Sequence, residues 1–167
     1  MKKKLFLLTL VCGFGMFSLQ AQSQKYGHVN SAEILQTMPG VDSVSIKLQN
    51  FQNELQAMYN EFVEEFKKKE KELDEKGGFW SASVRQIKEK ELADLQNRIQ
   101  EFQYNVQDDL EQKQFELIKP FQDKIQQAIN DVAKENGYVY IFDTQVLLYS
   151  EGGNDVTPLV KKKLGIK

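Results

Sequence analysis

Cysteine is nearly absent from this chain, since Cys12 is the only one among its 167 residues. It lies in an apolar run, residues 5–17, that is shorter than the roughly 20 residues needed to span a bilayer. Because three lysines precede this run and small residues follow it, we assign residues 1–21 to a secretory signal peptide. We expect cleavage after Ala21; cleavage after Ser23 and an uncleaved membrane anchor are the alternatives. Without that segment the chain has no thiol and can form no disulfide.

Groups that carry out chemistry are also scarce. His28 is the only histidine, and Asp143 and Asp155 do not have the spacing of a calcium loop. We therefore expect no enzyme, no metal site and no cofactor. Removing the three leading lysines leaves 19 of the 22 basic residues against 24 acidic ones, a net charge of −5. Such a protein lacks the basic stripe of a general nucleic-acid binder, so we expect no nucleic-acid partner.

Heptad spacing is the strongest pattern in the sequence. Apolar residues recur alternately every three and four positions in two segments, which predicts a coiled-coil seam on each. The seam residues are Val41, Val44, Leu48, Phe51, Leu55, Met58 and Phe62, then Leu92, Leu95, Ile99, Phe102 and Val106. Gly77 and Gly78 interrupt the pattern once between them. We predict a helix over 41–76, a reversal near 77–83 and an antiparallel return helix over 83–136.

Short segments outside the hairpin predict three elements of a small β body. Residues 25–30 are a strand candidate, followed by a brief helix for which Asn30 is the predicted cap. Residues 138–142 are apolar on both faces, which predicts a buried central strand. Residues 146–149 predict another strand, and 150–155 predict a loop.

Glycine and proline mark the expected helix ends. Gly137 fits the C-cap of the return helix, and Thr157 with Pro158 fits the N-cap and first position of a last short helix. Pro120 lies inside the return helix, where we expect a kink or a local break because proline lacks one backbone donor; gentle bending of the helix without a mechanical role is the alternative.

The predicted fold class is α+β and mostly α, with a long antiparallel coiled-coil hairpin projecting from a small β body built by both chain ends. Three short strands make a poor sheet alone, so we expect edge pairing between copies and a homo-oligomer. The expected domains are a signal peptide at 1–21, an oligomerisation body at 22–40 and 119–167, and an arm at 41–118 with its tip near 77–83.

Six apolar residues of the arm lie off the predicted seam. A two-helix hairpin buries only its seam, so such side chains face water, another subunit or a bound apolar molecule. We take all six as candidate binding contacts: Ile46, Tyr59, Val63, Phe66, Tyr104 and Phe115. For Ile46 and Phe115 the alternative is packing near the body.

The predicted tip combines glycine with aromatic residues. Its members are Gly77, Gly78, Phe79 and Trp80. The glycines permit the reversal, and Ser83 with Gln86 is the candidate reciprocal cap of the return helix. The two aromatic residues either cover the end of the coiled coil, which we favour, or present an apolar tip to a partner.

Charge is distributed unevenly along the arm. Residues 67–91 hold eight basic and six acidic residues, whereas 41–66 and 92–118 together hold three basic and eleven acidic ones. Local ion pairs on a solvated face account for the lysine-rich run at 67–72. The acidic arm root would favour weak, reversible contacts and repel anionic surfaces.

Nearly the whole chain after residue 21 resembles the Skp/OmpH family of periplasmic chaperones for outer-membrane proteins. The residues that carry the resemblance are 26–31, 33–35, 125–133, 137–143 and 148–149, with the interrupted coiled coil between them. The return arm around 98–103 is similar to that of members from the Bacteroidetes.

The resemblance implies a homotrimer of jellyfish-like outline, in which strands of three chains form the body and three hairpins enclose a cavity for unfolded outer-membrane proteins. The implied activity is an ATP-independent holdase in the periplasm, with at most transient membrane contact. The expected oligomerisation residues are Tyr26, Val29, Val139, Ile141, Phe142 and Leu148. The net charge of −5 departs from the strongly basic best-known members, so no lipopolysaccharide site is carried over. The rival hypothesis is a periplasmic spacer that binds a folded envelope partner through the tip.

Overall fold

The structure is a computed structural model that describes residues 24–166. The predicted signal peptide, Cys12 and both candidate cleavage sites lie outside the described residues. In chain order the elements are β1 (Lys25–Val29), α1 (Ser31–Thr37), α2 (Asp42–Lys76), α3 (Ala82–Asn136), β2 (Tyr138–Asp143), β3 (Asn154–Asp155) and α4 (Thr157–Lys163). No helix in the described part of the chain has the length and apolarity needed to cross a membrane.

The two long helices form the predicted antiparallel hairpin, with bounds that differ from the expected ones by one residue. Leu55, Phe62 and Leu95 are buried along the seam. The rings of Phe62 and Phe102 meet edge to face with centroids 5.5 Å apart, a favoured aromatic geometry. Met58, also expected in the seam, is 45% exposed. The coiled-coil prediction is therefore confirmed, with a narrower buried stripe than its sequence spacing indicates.

The hairpin reverses through a short 3₁₀ turn, Gly77–Phe79, without left-handed backbone at its glycines. Gly77 keeps a helical φ of −57° at the end of α2. The residue that caps α3 is Ser81, whose hydroxyl accepts a hydrogen bond from the Val84 amide at 3.4 Å. The expected cap by Ser83 and Gln86 is wrong, because the extended backbone needed at an N-cap occurs at Ser81.

α3 passes through Pro120 as one continuous helix, so the alternative of a local break is wrong. Proline removes one backbone hydrogen bond, but Phe121 and Ile125 immediately after it pack into the body core. This packing holds the helix on the C-terminal side of the missing bond. α3 then ends where predicted, at Gly137, whose φ of +70° is the left-handed conformation that favours glycine.

The body core joins elements from both ends of the described chain. Its buried side chains are Val29, Ile34, Met38, Ile125, Ala128, Val132, Val156 and Val160. The predicted cap is present, since the Asn30 side chain accepts a hydrogen bond from the Glu33 amide at 3.0 Å. The Asn30 amide in turn donates to the Thr157 hydroxyl at 2.9 Å. A partly buried polar bond therefore links the residue after β1 to the start of α4.

The sheet has three parallel strands in the order β2-β1-β3. The expectation that residues 138–142 form the buried central strand is wrong for the single chain, because β1 occupies the centre and β2 lies at an edge. Val139, Tyr140 and Phe142 are 50%, 56% and 43% exposed. One face of β2 packs on α3 and the core, and no element within residues 24–166 covers the other face. β2 thus has more apolar side chains than the described part of the chain buries.

The third strand also differs from the prediction. The Asp143 carboxylate accepts a hydrogen bond from the Gln145 amide at 2.9 Å and opens a 3₁₀ turn, so residues 146–149 leave the sheet. Leu148 is fully exposed and lies in no strand. β3 forms instead inside the expected loop, where the Asn154 side-chain amide donates to the Tyr26 carbonyl at 2.8 Å.

The last helix begins one position earlier than expected, at Thr157 with Val156 as its N-cap. Thr157 is already helical, and the preceding Asp155 carboxylate accepts a hydrogen bond from the Thr157 amide at 2.8 Å. This bond satisfies one of the free donors of the first turn. The predicted capping role of Thr157 is therefore wrong, because its hydroxyl is engaged by the Asn30 amide.

Candidate functional site

The six candidate contact residues of the arm fall into two groups by exposure. Ile46, Tyr104 and Phe115 are 63%, 82% and 56% exposed. The remaining three, Tyr59, Val63 and Phe66, are half-buried. The alternative that Ile46 and Phe115 pack against the body is wrong, because more than half of each side chain is exposed.

A groove between α2 and α3 lies halfway along the arm. It has a volume of about 310 Å³ and is lined by Gln52, Leu55, Gln56, Tyr59, Phe102, Gln103, Val106 and Leu110. The Gln103 side-chain amide donates to the Tyr59 hydroxyl at 2.9 Å, and the Tyr59 ring stacks on Phe102 with centroids 6.5 Å apart. Of the lining residues, only Tyr59 was a sequence candidate. The glutamines were missed, although their regular helical spacing was visible in the sequence.

The other flank of the hairpin is charged. The Lys69 ammonium lies 3.1 Å from the Glu91 carboxylate and joins the two helices near the tip. Hydrogen bonds from Lys69 and then Lys88 lower the pKa of Glu91 below its ordinary value. The hydrogen bond to Glu91 correspondingly raises the pKa of Lys69. The Arg98 guanidinium lies 4.3 Å from the centroid of the Phe62 ring, so charged side chains cover the seam on this flank.

The two aromatic residues of the tip differ in exposure. Phe79 is 91% exposed, so the expectation that it closes the end is wrong, while Trp80 is half-buried. The geometric reason is the 3₁₀ turn, which places Phe79 at its outer end. Val84 and Ile87 in the first turns of α3 are also exposed, at 41% and 57%. The arm therefore ends in a small apolar patch.

The outer face of the sheet carries a row of aromatic rings. Tyr26 stacks on Tyr140, and Tyr140 stacks on Phe142, with ring centroids 6.0 Å apart in each pair. Of the expected oligomerisation residues, Val29 and Ile141 belong to the core side of the sheet. The other four, Tyr26, Val139, Phe142 and Leu148, are exposed. The available surface for another copy is therefore the aromatic row and the segment that follows it.

The only histidine lies beside that row without a catalytic arrangement around it. The His28 imidazole packs closely on Gly153, where an added Cβ would lie 3.0 Å from Nδ1. No group of three metal-ligating side chains converges anywhere in residues 24–166. Glycine at position 153 thus lets the loop before β3 close over the imidazole.

Comparison with known proteins agrees with this architecture. The family model of outer membrane proteins described as OmpH-like matches residues 25–164. A chaperone protein Skp from Photorhabdus laumondii subsp. laumondii is 29% identical over 165 residues, covering 94% of this chain and 98% of the relative. The chaperone protein Skp of Pectobacterium atrosepticum is 28% identical over 151 residues, 88% of each chain.

A solved structure has the same fold. It is a crystal structure from Caulobacter crescentus CB15 described as an OmpH-like outer membrane chaperone, with a TM-score of 0.63 and 14% identity. The match covers 84% of this chain and 83% of that one. Skp and OmpH-like proteins are chaperones without enzymatic activity, in agreement with the sequence-based expectation. This chain therefore belongs to the OmpH-like outer membrane protein family, and its Skp relatives support a chaperone role for it.

Proposed function

We propose that this chain is an ATP-independent periplasmic holdase that binds unfolded outer-membrane proteins between helical arms and prevents their aggregation. The observation that carries the proposal is the exposure of large apolar side chains along an arm that no other described element covers. Tyr104 at 82% and Phe115 at 56% exposure are the clearest cases. Solvated aromatic residues on a stable helix offer apolar contact without requiring the chaperone itself to refold.

Weak contacts become effective when several arms act on one client. The proposed assembly is a homotrimer in which the exposed sheet faces of three chains meet, so that three arms surround one cavity. A client held by one arm then meets the others at high local concentration, which gives tight overall capture with rapid local exchange. The stacked rings of Tyr26, Tyr140 and Phe142 support this assembly, because an apolar face of this kind is usually covered in soluble proteins.

The test of holdase function is aggregation of an unfolded β-barrel protein diluted from urea, followed by light scattering. We expect suppression at one assembled chaperone per client, without added nucleotide. If the client aggregates as fast with the folded chaperone as without it, the proposal is refuted.

Assembly is tested separately by the molar mass of the protein without residues 1–21. Multi-angle light scattering should give three times the chain mass, and Tyr140→Ser with Phe142→Ser should lower it. A monomeric mass for the unmodified chain would remove both the shared body and the enclosed cavity. The double change Ile46→Ser with Phe115→Ser removes two apolar residues from the arm and should leave the mass unchanged.

A second candidate function is a spacer that binds a folded envelope protein through the tip. The observation that favours it is the 91% exposure of Phe79 beside the exposed Val84 and Ile87. Phe79→Ser with Trp80→Ser separates the two functions, since it should abolish binding of a folded partner and leave suppression of client aggregation intact. Loss of suppression in this variant would place client binding at the tip.

A further inference from the structure

The arm carries an uncharged stripe on one flank of its seam, which we call the glutamine face. Its side chains recur every three or four positions, which places them on one side of each helix. One step on α3 is seven residues long. On α2 they are Gln49, Gln52, Gln56, Tyr59, Val63 and Phe66. On α3 they are Gln96, Gln100, Gln103, Gln107 and Gln114.

Direct contacts place the two halves of the glutamine face on the same side of the hairpin. The hydrogen bond from Gln103 to the Tyr59 hydroxyl, 2.9 Å long, crosses from α3 to α2. Gln52, Gln56 and Tyr59 of α2 line one groove together with Gln103 of α3. The glutamine face is therefore one continuous surface with the groove at its middle.

The opposite flank has the reverse chemistry. On α3 the residues at the same helical spacing are Glu91, Asp94, Arg98, Glu101, Asn105, Asp108 and Gln112, five of them charged. On this flank the two helices are joined by the Lys69–Glu91 ion pair, 3.1 Å long, whereas the glutamine face has the neutral bond from Gln103 to Tyr59. The arm thus separates charge from neutral polarity along most of its length.

Solubility alone does not explain a neutral flank. Positions beside a coiled-coil seam usually carry glutamate and lysine, as the opposite flank does. A charged side chain must lose strongly bound water before apolar material can cover it, whereas an amide loses less. An amide also offers both donors and acceptors, which match the backbone N–H and C=O groups of an extended chain that has no partners of its own.

The groove adds a place for an apolar side chain. Its volume is about 310 Å³, and its apolar walls are formed by Leu55, Phe102, Val106 and Leu110. Gln52 and Gln56 also line the groove, beside the backbone of a chain whose side chain enters. Carboxylates on the opposite flank weaken the binding of acidic segments by repulsion.

We propose that the glutamine face is the wall on which the arm holds an extended, uncharged client segment. Its amides pair with the backbone of that segment, and the groove receives one large apolar side chain. This inference rests on the proposed holdase function and adds the position and chemistry of the client contact.

Two matched double variants test the inference. Gln56→Glu with Gln103→Glu places two carboxylates on the glutamine face, and Asn50→Asp with Gln112→Glu places two on the opposite flank. Asn50 and Gln112 are exposed on the same part of the arm. Each variant replaces two amides with two carboxylates, so both variants have the same net charge. Glutamate resembles glutamine in helix propensity, so both should retain the hairpin, which far-UV circular dichroism checks.

The probe is a transmembrane β-barrel polypeptide unfolded in urea, labelled with one fluorophore and diluted into each chaperone. We expect the glutamine-face variant to bind roughly tenfold more weakly than the unmodified chain, and the control to stay within about twofold. Equal weakening of both variants, or of neither, overturns the inference and leaves the holdase proposal intact. Absence of binding by the unmodified chain overturns both. A lower oligomer mass for the glutamine-face variant alone assigns this face to contact between copies and also overturns the inference.

Discussion

Replacing Phe62 with alanine tests whether the narrow seam stabilises the arm. Phe62 is buried to 9% exposure, meets Phe102 edge to face at 5.5 Å and lies 4.3 Å beneath the Arg98 guanidinium. Truncating a buried phenylalanine costs about 3–5 kcal/mol in a globular core. A two-helix seam surrounds the ring less completely, so we expect Phe62→Ala to lower the free energy of unfolding by about 3 kcal/mol, the low end of that range.

The assay is urea unfolding at one fixed protein concentration, since assembly makes stability concentration-dependent. Trp80 is the only tryptophan and lies at the end of the arm, so its fluorescence reports unfolding there, while far-UV circular dichroism reports all the helices. A lower midpoint by both signals is expected. If only the fluorescence midpoint falls, the arm unfolds separately from the body.

The same substitution at an exposed position of the arm is the matched control. Phe115 is 56% exposed, so Phe115→Ala should change the free energy of unfolding by less than about 0.5 kcal/mol. Equal losses in the two variants would refute the reasoning, because they would mean that burial in the seam contributes nothing specific.

Three further predictions concern the body and the cross-helix ion pair. Ile34→Ala, at a position with 0% exposure, should cost about 2–5 kcal/mol in chemical unfolding of the body. Gly137→Ala places a Cβ at a φ of +70° and should cost about 1 kcal/mol in the same measurement. Since hydrogen bonds from Lys69 and Lys88 lower the pKa of Glu91 in the folded arm, its stabilisation is present above the unfolded value, near 4.5, and is lost as pH falls through the folded pKa. The stability difference between the unmodified chain and Glu91→Gln should therefore be present at neutral pH and vanish in acid; a difference that persists at low pH would contradict this assignment.

The hairpin was predictable because its signals are local. Alternating three- and four-residue spacing specifies a helix and the side it buries, and the break at Gly77 specifies where the helix ends. The observed ends of α2 and α3 differ from the expected ones by a single residue. Exposure of Tyr104 also followed from spacing, since its position in the heptad faces away from the other helix of the arm.

The sheet was not predictable to the same degree because strand pairing joins distant residues. The apolar run at 138–142 correctly indicated a strand, but its edge position depends on β1, more than one hundred residues earlier in the chain. The run at 146–149 has strand-like composition, yet the hydrogen bond between Asp143 and Gln145 turns the chain away from the ladder. Asn154 joins β1 through its own side chain, which no spacing rule indicates.

For the contact surface of the arm, too, one part was predictable from local spacing and another depended on the packing of the two helices. Local spacing was enough to mark Tyr59 as lying off the seam, because helix geometry relates residues only to neighbours on the same helix. The groove and the bond from Gln103 to Tyr59 required the alignment of α2 against α3, which joins residues 44 positions apart. Periodicity therefore established the arm, its buried stripe and its break, whereas the edge strand, the exposed aromatic row and the joining of the glutamines of α2 and α3 into one face came from the packing of distant segments. That packing depends on pair contacts across the whole chain, and single-residue patterns do not encode which pairs meet.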